Sequence, residues 1–197
     1  MLKQKLKNHH IILASGSPRR QKFFQELDIP FTIDVRKVNE VYPQALKKAE
    51  ITDYLSQLKA AEFDALSGND ILITSDTIVW KENSPMEKPR DAQHAKQMIK
   101  SLSGNVHEVI TSVCFTGASF QKTVNETTKV WFATLTDDEV NYYVDTFQPF
   151  DKAGAYGIQE WIGYIGVEKI EGSFFNVMGL PTRLVYKTLL QIAEKAN

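Results

Sequence analysis

The segment Ile71–Trp80, ILITSDTIVW, constrains the fold most, because its apolar residues fall on both faces of a β-strand. Such a strand must be covered on each side of its sheet, as in proteins whose helices pack on both faces. Strand patterns and helix patterns alternate along the rest of the chain. We therefore expect an α/β or mixed α+β protein with helices flanking a long sheet.

Hydrophobic periodicity predicts the individual elements. Apolar runs bounded by turn residues predict strands at His10–Ala14, Phe31–Val35, Ile71–Trp80, His107–Phe115, Thr127–Ala133 and Tyr164–Ile170. Apolar residues at helical spacing predict helices at Pro18–Leu27, Asp53–Leu66, Ala92–Leu102, Asp137–Phe147 and Pro181–Lys195. Thr136 precedes three acidic residues, and this order predicts that it is the N-cap of the helix at Asp137–Phe147. Gly117 and the polar residues after it predict a hairpin, whose antiparallel pairing would make the sheet mixed.

Composition narrows the class of protein. The chain has 197 residues, of which 43% are hydrophobic, so it can bury a substantial core. Its 23 Lys and Arg nearly balance 24 Asp and Glu, which argues against a general nucleic-acid binder. No apolar run is long enough to span a membrane, and the basic N-terminus lacks the apolar region of a secretory signal. We expect a cytoplasmic protein with a loose tail at residues 1–10 and a single domain at 11–197, and a buried, inert thiol at Cys114.

A small-residue turn followed by two arginines indicates an anion site. Ser15 and Ser17 precede a helix that begins at Pro18, and Arg19 and Arg20 follow at once. Arginines are unfavourable at the positive end of a helix unless an anion binds there. Free amides, hydroxyls and guanidinium groups together suit phosphate. The alternative is a pair of solvated arginines with buried stems. The spacing matches neither a P-loop nor a dinucleotide-binding fingerprint.

Asp76 interrupts the most buried predicted strand. A buried carboxylate without partners is expensive, so Asp76 needs a cation, hydrogen-bond donors or access to water. A metal ligand or a general base would explain its position, and a structural aspartate held by backbone amides is the alternative. The zinc-protease pattern HExxH and the hydrolase pattern GxSxG are absent from the sequence.

Four further charged residues are candidates for the same site. Lys59 shares the apolar face of its predicted helix, so it either extends its ammonium group to solvent or points it at a phosphate. Lys88 precedes a proline, which holds its backbone extended. Lys152 is the second residue of the glycine-containing loop DKAGAYGIQ, and Glu40 lies in the loop after the second strand. Each could also be an ordinary surface residue.

These segments together resemble the Maf family of nucleotide pyrophosphatases. The motifs LASGSPRR, SDTIV, EKPRD, LSGNVHEVITSV, DKAGAYGIQ and GLPT, with Glu40 and Lys59 between them, follow the family's order between about Ile11 and Leu190. The resemblance implies a mixed α/β fold with two lobes around a deep central cleft, related to inosine triphosphate pyrophosphatases. It also implies hydrolysis of a nucleoside triphosphate to the monophosphate and pyrophosphate with a divalent metal, Mg²⁺ or Mn²⁺.

The resemblance also implies roles for individual residues. Asp76 would be the catalytic base and, with Glu40, a metal ligand. Asn39 stands where many members carry a second acid, so the resemblance supports one carboxylate in that loop. Three of the substrate-binding positions match the branch that hydrolyses dTTP and UTP, namely Arg19, Thr77 and Gln159. The full set of implied substrate-binding residues is Ser15, Ser17, Arg19, Arg20, Lys59, Thr77, Lys88, Lys152 and Gln159.

Alternative functions and partners remain open at this stage. A purine-selective or modified-nucleotide pyrophosphatase would share the phosphate site but not the base contacts. A nucleotide-binding regulator of cell division would need no turnover, and a structural module would give no reason for polar residues inside a buried strand. We expect a nucleoside triphosphate substrate, with clearance of non-standard pyrimidine nucleotides as a further role, and neither nucleic acid nor membrane as a partner. The sequence leaves both a monomer and a homodimer open.

Overall fold

A computed structural model describes residues 1–195, which form helices and strands in alternation. The strands are β1 His10–Leu13, β2 Thr32–Ile33, β3 Asp70–Lys81, β4 Ser84–Met86, β5 Val106–Gly117, β6 Phe120–Phe132 and β7 Val167–Glu171. The helices are α1 Leu2–Lys5, α2 Pro18–Glu26, α3 Ala49–Ala61, α4 Ala92–Leu102, α5 Asp137–Phe147, α6 Trp161–Gly166, α7 Phe174–Val177 and α8 Thr182–Lys195, with one short 3₁₀ turn at Ala153–Ala155.

The strands form a mixed sheet, which confirms the predicted fold class. In the described part of the chain seven strands take part, in the order β2-β1-β3-β5-β6-β7, with β4 paired to β3. Strand β1 pairs in parallel with β2 and β3, whereas β4 pairs antiparallel with β3 and β7 antiparallel with β6. Ile71, Leu72 and Ile73 are at most 1% exposed, so β3 is covered on both faces as its sequence predicted.

The chain divides into two compact units. Unit 1 comprises Met1–Asp76, Thr111–Glu126 and the described residues from Gly179 onward, and unit 2 comprises Thr77–Ile110 and Thr127–Met178. The prediction of a deep cleft stays a prediction. No helix within residues 1–195 has both the length and the apolar character needed to cross a membrane.

The N-terminus of unit 1 is ordered, so the prediction of a loose tail at residues 1–10 is wrong. Leu2 and Leu6 are 2% and 4% exposed. These leucines are four residues apart and so lie on one face of α1, a spacing that the lysine-rich composition obscured. Lys5 pairs with Glu194 at 2.5 Å, and Lys3 pairs with Asp28 at 2.8 Å. The tail therefore belongs to the folded part of unit 1.

Unit 2 has a large apolar core and a well-capped helix. Phe132 and Tyr143 are among its fully buried side chains. Helix α5 begins after Thr136, whose hydroxyl accepts the Glu139 amide while the Glu139 carboxylate accepts the Thr136 amide. This capping box confirms the N-cap predicted at Thr136, because it satisfies two amides that a helix start leaves unpaired.

Several predicted boundaries differ from the structure. The predicted strand Tyr164–Ile170 begins instead as helix α6, and only Val167–Glu171 is extended. The Gly163 amide donates to the Glu160 carbonyl at 2.9 Å, and this local bond favours a helical start over extension. The predicted strand Phe31–Val35 shortens to β2, and the helix that carries Lys59 begins earlier and ends at Ala61.

Candidate active site

Lys59 lies between two carboxylates in unit 1. Its Nζ donates to Asp76 Oδ1 at 2.6 Å and lies 3.2 Å from Glu40 Oε1. The side chains of Lys59 and Asp76 are 17% and 10% exposed, whereas that of Glu40 is 54% exposed. The structure therefore joins three residues that the sequence predicted separately. Asp76 obtains the cation that its burial requires.

Local geometry explains why these side chains meet. Thr74 and Asp76 are two residues apart on β3, so their side chains point to the same face of the sheet. Thr74 Oγ1 donates to the Ser56 carbonyl at 2.6 Å, and Lys59 follows Ser56 by three residues on α3. Residues three apart on a helix share a face. The Thr74 bond therefore attaches α3 to β3 in the register that places the Lys59 ammonium group at Asp76.

Arg20 binds two backbone carbonyls, one of which belongs to Ser75, the residue before Asp76. Its Nε donates to the Gly179 carbonyl at 2.8 Å, and its Nη1 donates to the Ser75 carbonyl at 3.0 Å. Lys59 Nζ lies 3.5 Å from the same Ser75 oxygen. Burial lowers the pKa of Arg20, while the charges of Asp76 and Glu40 raise it. The Arg20 guanidinium group therefore lies close enough to both carboxylates for their charges to interact.

The beginning of helix α2 holds the small-residue turn in a defined shape. Ser17 is the N-cap residue with extended backbone, and Pro18 is the first helical residue. The Ser15 hydroxyl accepts the Ser17 amide at 3.3 Å, and the Ser15 carbonyl accepts Gln21 Nε2 at 3.0 Å. The first amides of a helix lack intrahelical partners and bear a partial positive charge. This turn therefore presents donors beside the half-buried Arg19.

In unit 2, Gln159 lies on a tight turn whose ends are both bound to Tyr143. The Glu160 amide donates to the Gly157 carbonyl at 2.9 Å, which closes the turn. The Tyr143 hydroxyl accepts the Gly157 amide at 3.0 Å and donates to Glu160 Oε2. Lys152 Nζ pairs with Glu160 Oε1 at 3.1 Å and with Asp151 at 2.7 Å. Burial and the bond to Glu160 raise the pKa of Tyr143.

Two other predicted residues of unit 2 have different surroundings. Lys88 is exposed, in the segment that precedes α4. The carbonyl of the preceding residue, Glu87, accepts the Gly154 amide at 3.2 Å, so this segment is bound to the loop that contains Lys152. Thr77 is half-buried and directly follows Asp76 on β3. Their roles in substrate binding stay predictions.

Glu40 and Asp76 are suitable ligands for a divalent metal. Among residues 1–195 no group of three or more His, Cys, Asp or Glu side chains could hold a metal ion. Mg²⁺ commonly uses only one or two carboxylates and completes its octahedron with water and substrate phosphates. Both carboxylates already share one cationic neighbour, the Lys59 ammonium group. The donor set therefore fits a metal that arrives with a phosphate substrate.

Sequence reasoning missed three contributors to these sites. The carbonyls of Ser75 and Gly179 bind the Arg20 guanidinium group, and carbonyl contacts of this kind leave no mark on residue type. Gly179, in the motif GLPT, has a φ of 106°, which favours glycine. The glycine in the sequence therefore hints at this backbone conformation, but it does not indicate the contact with Arg20. For Tyr143 the sequence indicated only a buried position on the predicted helix Asp137–Phe147.

Two solved structures show low similarity. One is a Ham1 protein from Staphylococcus aureus, with a TM-score of 0.38 and 13% identity, covering 63% of this chain and 72% of that chain. The other is a HAM1 protein from Coxiella burnetii, with a TM-score of 0.48 and 12% identity, covering 93% of this chain and 99% of that one. The structural relationship to inosine triphosphate pyrophosphatases stays a prediction.

Relatives in sequence are much more similar. A protein of Christiangramia forsetii, named dTTP/UTP pyrophosphatase, is 62% identical over 98% of both chains. Proteins of the same name from Flavobacterium johnsoniae and Bacteroides fragilis are 55% and 47% identical over 96% and 95% of this chain and 98% of their own. The family model for Maf-like protein matches residues 10–192. The chain therefore belongs to the Maf-like protein family.

Proposed function

We propose that this chain is a cytoplasmic enzyme that hydrolyses dTTP and UTP to the nucleoside monophosphate and pyrophosphate. Relatives at 47–62% identity bear the name of this activity. The observation that carries the proposal is the cluster in which Lys59 bridges Asp76 and Glu40, with Arg20 beside it. Such a cluster offers a base, cations for phosphate and carboxylates for a metal.

Asp76 is the proposed general base. The bond from Lys59 uses Oδ1, so Oδ2 takes a proton from the attacking water. Water adds to one of the two phosphorus atoms that flank the oxygen between the α- and β-phosphates. The bond from that phosphorus to the bridging oxygen breaks, and the products are the nucleoside monophosphate and pyrophosphate. The proton ends on Asp76 and is returned to solvent.

Cationic groups of unit 1 bind the phosphates. The Lys59 ammonium group and the guanidinium groups of Arg19 and Arg20 supply charge, and Ser15 and Ser17 lie at the start of α2, whose amides favour anions. Arg20 is held by the carbonyls of Ser75 and Gly179, so its charge is ordered before substrate arrives. Fixed charges of this kind stabilise the transition state of phosphoryl transfer without reorganisation.

A divalent cation, Mg²⁺ or Mn²⁺, is part of the proposal. Glu40 and Asp76 would hold it, and their oxygens suit either ion. The bound cation would neutralise charge on the phosphate oxygens. Lys59 is then the group that keeps both carboxylates close in the absence of substrate, since its ammonium group contacts each of them.

Gln159, Thr77 and Arg19 are the proposed base-selecting residues. Thymine and uracil present two carbonyl acceptors and the N3–H donor, and a glutamine amide supplies both a donor and an acceptor. Cytosine presents N3 as an acceptor and an amino group instead of the O4 carbonyl. A site that hydrogen-bonds one edge rejects the mismatched edge, because its own polar groups lose their partners.

A pyrophosphate-release assay over common and modified nucleoside triphosphates, with Mg²⁺ or Mn²⁺, tests the proposal. We expect the highest kcat/KM for dTTP and UTP, a lower value for CTP and lower values still for purines. Gln159→Ala should lower kcat/KM for dTTP more than for CTP. Comparable values for GTP and dTTP in the wild type would favour the purine-selective alternative. Binding of dTTP without pyrophosphate release would favour a non-catalytic regulator.

A further inference from the structure

We infer that Tyr143 is a specificity-positioning residue that sets the conformation of the Gln159 turn through its hydroxyl group. This inference rests on the proposed function, since it explains how the proposed base-selecting residue Gln159 is positioned. It adds a residue of helix α5, in the core of unit 2, to those that affect base selection. Tyr143 itself is not proposed to contact the substrate.

One hydroxyl group holds both ends of the turn. The turn runs from Gly157 to Glu160, with Ile158 and Gln159 as its central residues, and is closed by the Glu160 amide at 2.9 Å from the Gly157 carbonyl. Tyr143 accepts a bond from the Gly157 amide at 3.0 Å and donates one to the Glu160 carboxylate. A hydroxyl group can do both at once because it has one donor and two acceptor sites.

The Tyr143 side chain is held rigidly, because it is 0% exposed and lies on a helix whose N-terminus is capped by a capping box. Its ring stacks on Phe147 with centroids 5.2 Å apart. On the other side of the carboxylate, Lys152 pairs with Glu160 Oε1 at 3.1 Å, with a side chain 10% exposed. Glu160 therefore has a fixed donor at each oxygen, and the turn cannot shift without breaking one of these bonds.

The side chain of Gln159 packs back over the start of the turn. A Cβ atom added at Gly157 would lie 3.0 Å from Gln159 Nε2 and 2.8 Å from the Glu160 carboxyl carbon. Gly157 thus leaves room for both side chains, and the position of its backbone sets where the Gln159 amide lies. Because Tyr143 holds that backbone, its hydroxyl group acts on base recognition through the turn.

This network also assigns a role to Lys152. Its ammonium group pairs with Asp151 at 2.7 Å as well as with Glu160. The carboxylates around Lys59 are proposed to bind a divalent cation together with the substrate, whereas nothing in the proposed function takes Asp151 and Glu160 away from Lys152. We therefore assign Lys152 to holding Glu160, in place of the direct substrate contact that the family resemblance implies.

Tyr143→Phe tests the inference, because it removes the hydroxyl group and keeps the ring. We expect the ratio of kcat/KM for dTTP to kcat/KM for CTP to fall by about fivefold, the effect of losing one positioning hydrogen bond. The matched control is Tyr142→Phe, which removes the hydroxyl group from the neighbouring, 51% exposed tyrosine of the same helix. This control should leave the ratio unchanged.

A double-mutant cycle separates positioning from general loss of stability. In a Gln159→Ala background the ratio is already reduced, and adding Tyr143→Phe should reduce it no further, because both changes act on the same amide. Independent, multiplicative losses would overturn the inference. Glu160→Gln keeps an oxygen acceptor for Tyr143 and should retain most of the ratio, whereas Glu160→Ala should lower it.

The outcomes distinguish the inference from the proposed function. If the wild-type protein releases no pyrophosphate from dTTP or UTP, the proposed function fails. If it prefers dTTP and both Tyr143→Phe and Glu160→Ala preserve that preference, the inference alone fails. Should Tyr143→Phe not fold, Glu160→Ala decides, because it breaks the same bond from a side chain that is 19% exposed.

Discussion

At the scale of single residues, the proposed chemistry depends on the ion pair between Lys59 and Asp76. Their atoms are 2.6 Å apart, and both side chains are largely removed from solvent. An ion pair in such a place is costly to break by removing one partner, because the remaining charge stays buried. The same pair therefore affects turnover and stability, and two substitutions separate these effects.

Asp76→Asn should keep the fold, because Lys59 retains Glu40 at 3.2 Å and an asparagine oxygen can still accept its hydrogen bond. The variant should lower kcat by roughly 10²-fold or more, the loss expected when a general base is removed. Pyrophosphate release and a thermal melt check both parts. Asp70→Asn is the matched control on the same strand, because its carboxylate binds only the Ser67 amide and His10, at 2.7 Å and 3.0 Å, among the described contacts. An Asp76→Asn variant with nearly full kcat would exclude the base role.

Lys59→Met should destabilise the protein by about 1–3 kcal/mol, because it leaves the Asp76 carboxylate without its cation. Adding Asp76→Asn should recover most of this loss, since the uncompensated charge is then gone, while turnover stays low. Chemical denaturation of both single variants and the double variant measures the coupling. If Lys59→Met alters neither stability nor turnover, Lys59 serves only through its apolar stem.

At the scale of elements, the loop before the Gln159 turn depends on unusual backbone angles. Gly154 has a φ of 71°, and Ala155 follows at 59°. A Cβ atom at Gly154 would lie 2.8 Å from Val79 Cγ2. Left-handed backbone favours glycine, so position 154 is restricted both by its torsion angle and by its neighbour. Two successive residues of this kind turn the chain sharply into the segment that carries Gln159.

Gly154→Ala should therefore lower the free energy of unfolding by about 1–3 kcal/mol, the usual cost of a strained backbone residue. Denaturant titration measures this change. Gly68→Ala is the control, because no atom lies within 4 Å of the position its Cβ would take, and its stability should be unchanged or slightly higher. Equal effects at the two positions would show that neither torsion nor contact restricts Gly154.

At the scale of the whole molecule, a buried histidine makes stability depend on pH. His107 lies in the core of unit 2, where its Nε2 is 2.7 Å from the Tyr156 hydroxyl and its ring packs on Phe132. Burial, with a smaller effect from Lys81, lowers the pKa of His107 from 6.5 to about 4. The folded protein therefore holds this imidazole neutral at a pH where the unfolded chain would protonate it.

Stability should consequently fall as the pH drops from 6.5 to 4, because the unfolded state binds more protons in that range. The expected loss from this group is about 3 kcal/mol. Denaturation at several pH values checks it: His107→Gln should show a shallower dependence than the wild type. Parallel slopes for wild type and His107→Gln would contradict the assignment.

Most of the fold was predictable because its signals are local. Two-sided burial of Ile71–Ile73 and the cap at Thr136 depend on neighbouring residues and were confirmed. Boundaries failed where tertiary packing or a local hydrogen bond outweighed the pattern. Two buried leucines order α1 against the expectation of a loose tail, and helix α6 extends as far as Gly166, inside the predicted strand Tyr164–Ile170.

The sequence by itself determined the family resemblance and the identities of the charged residues, because side-chain chemistry and order along the chain are readable directly. Only the tertiary structure decided that Lys59 bridges Asp76 and Glu40, and that Arg20 binds two backbone carbonyls. It also decided that Tyr143 holds the Gln159 turn. Carbonyl oxygens are common to all residues, and contact partners far apart in sequence leave no periodic signal, so these arrangements appear only once the chain has folded.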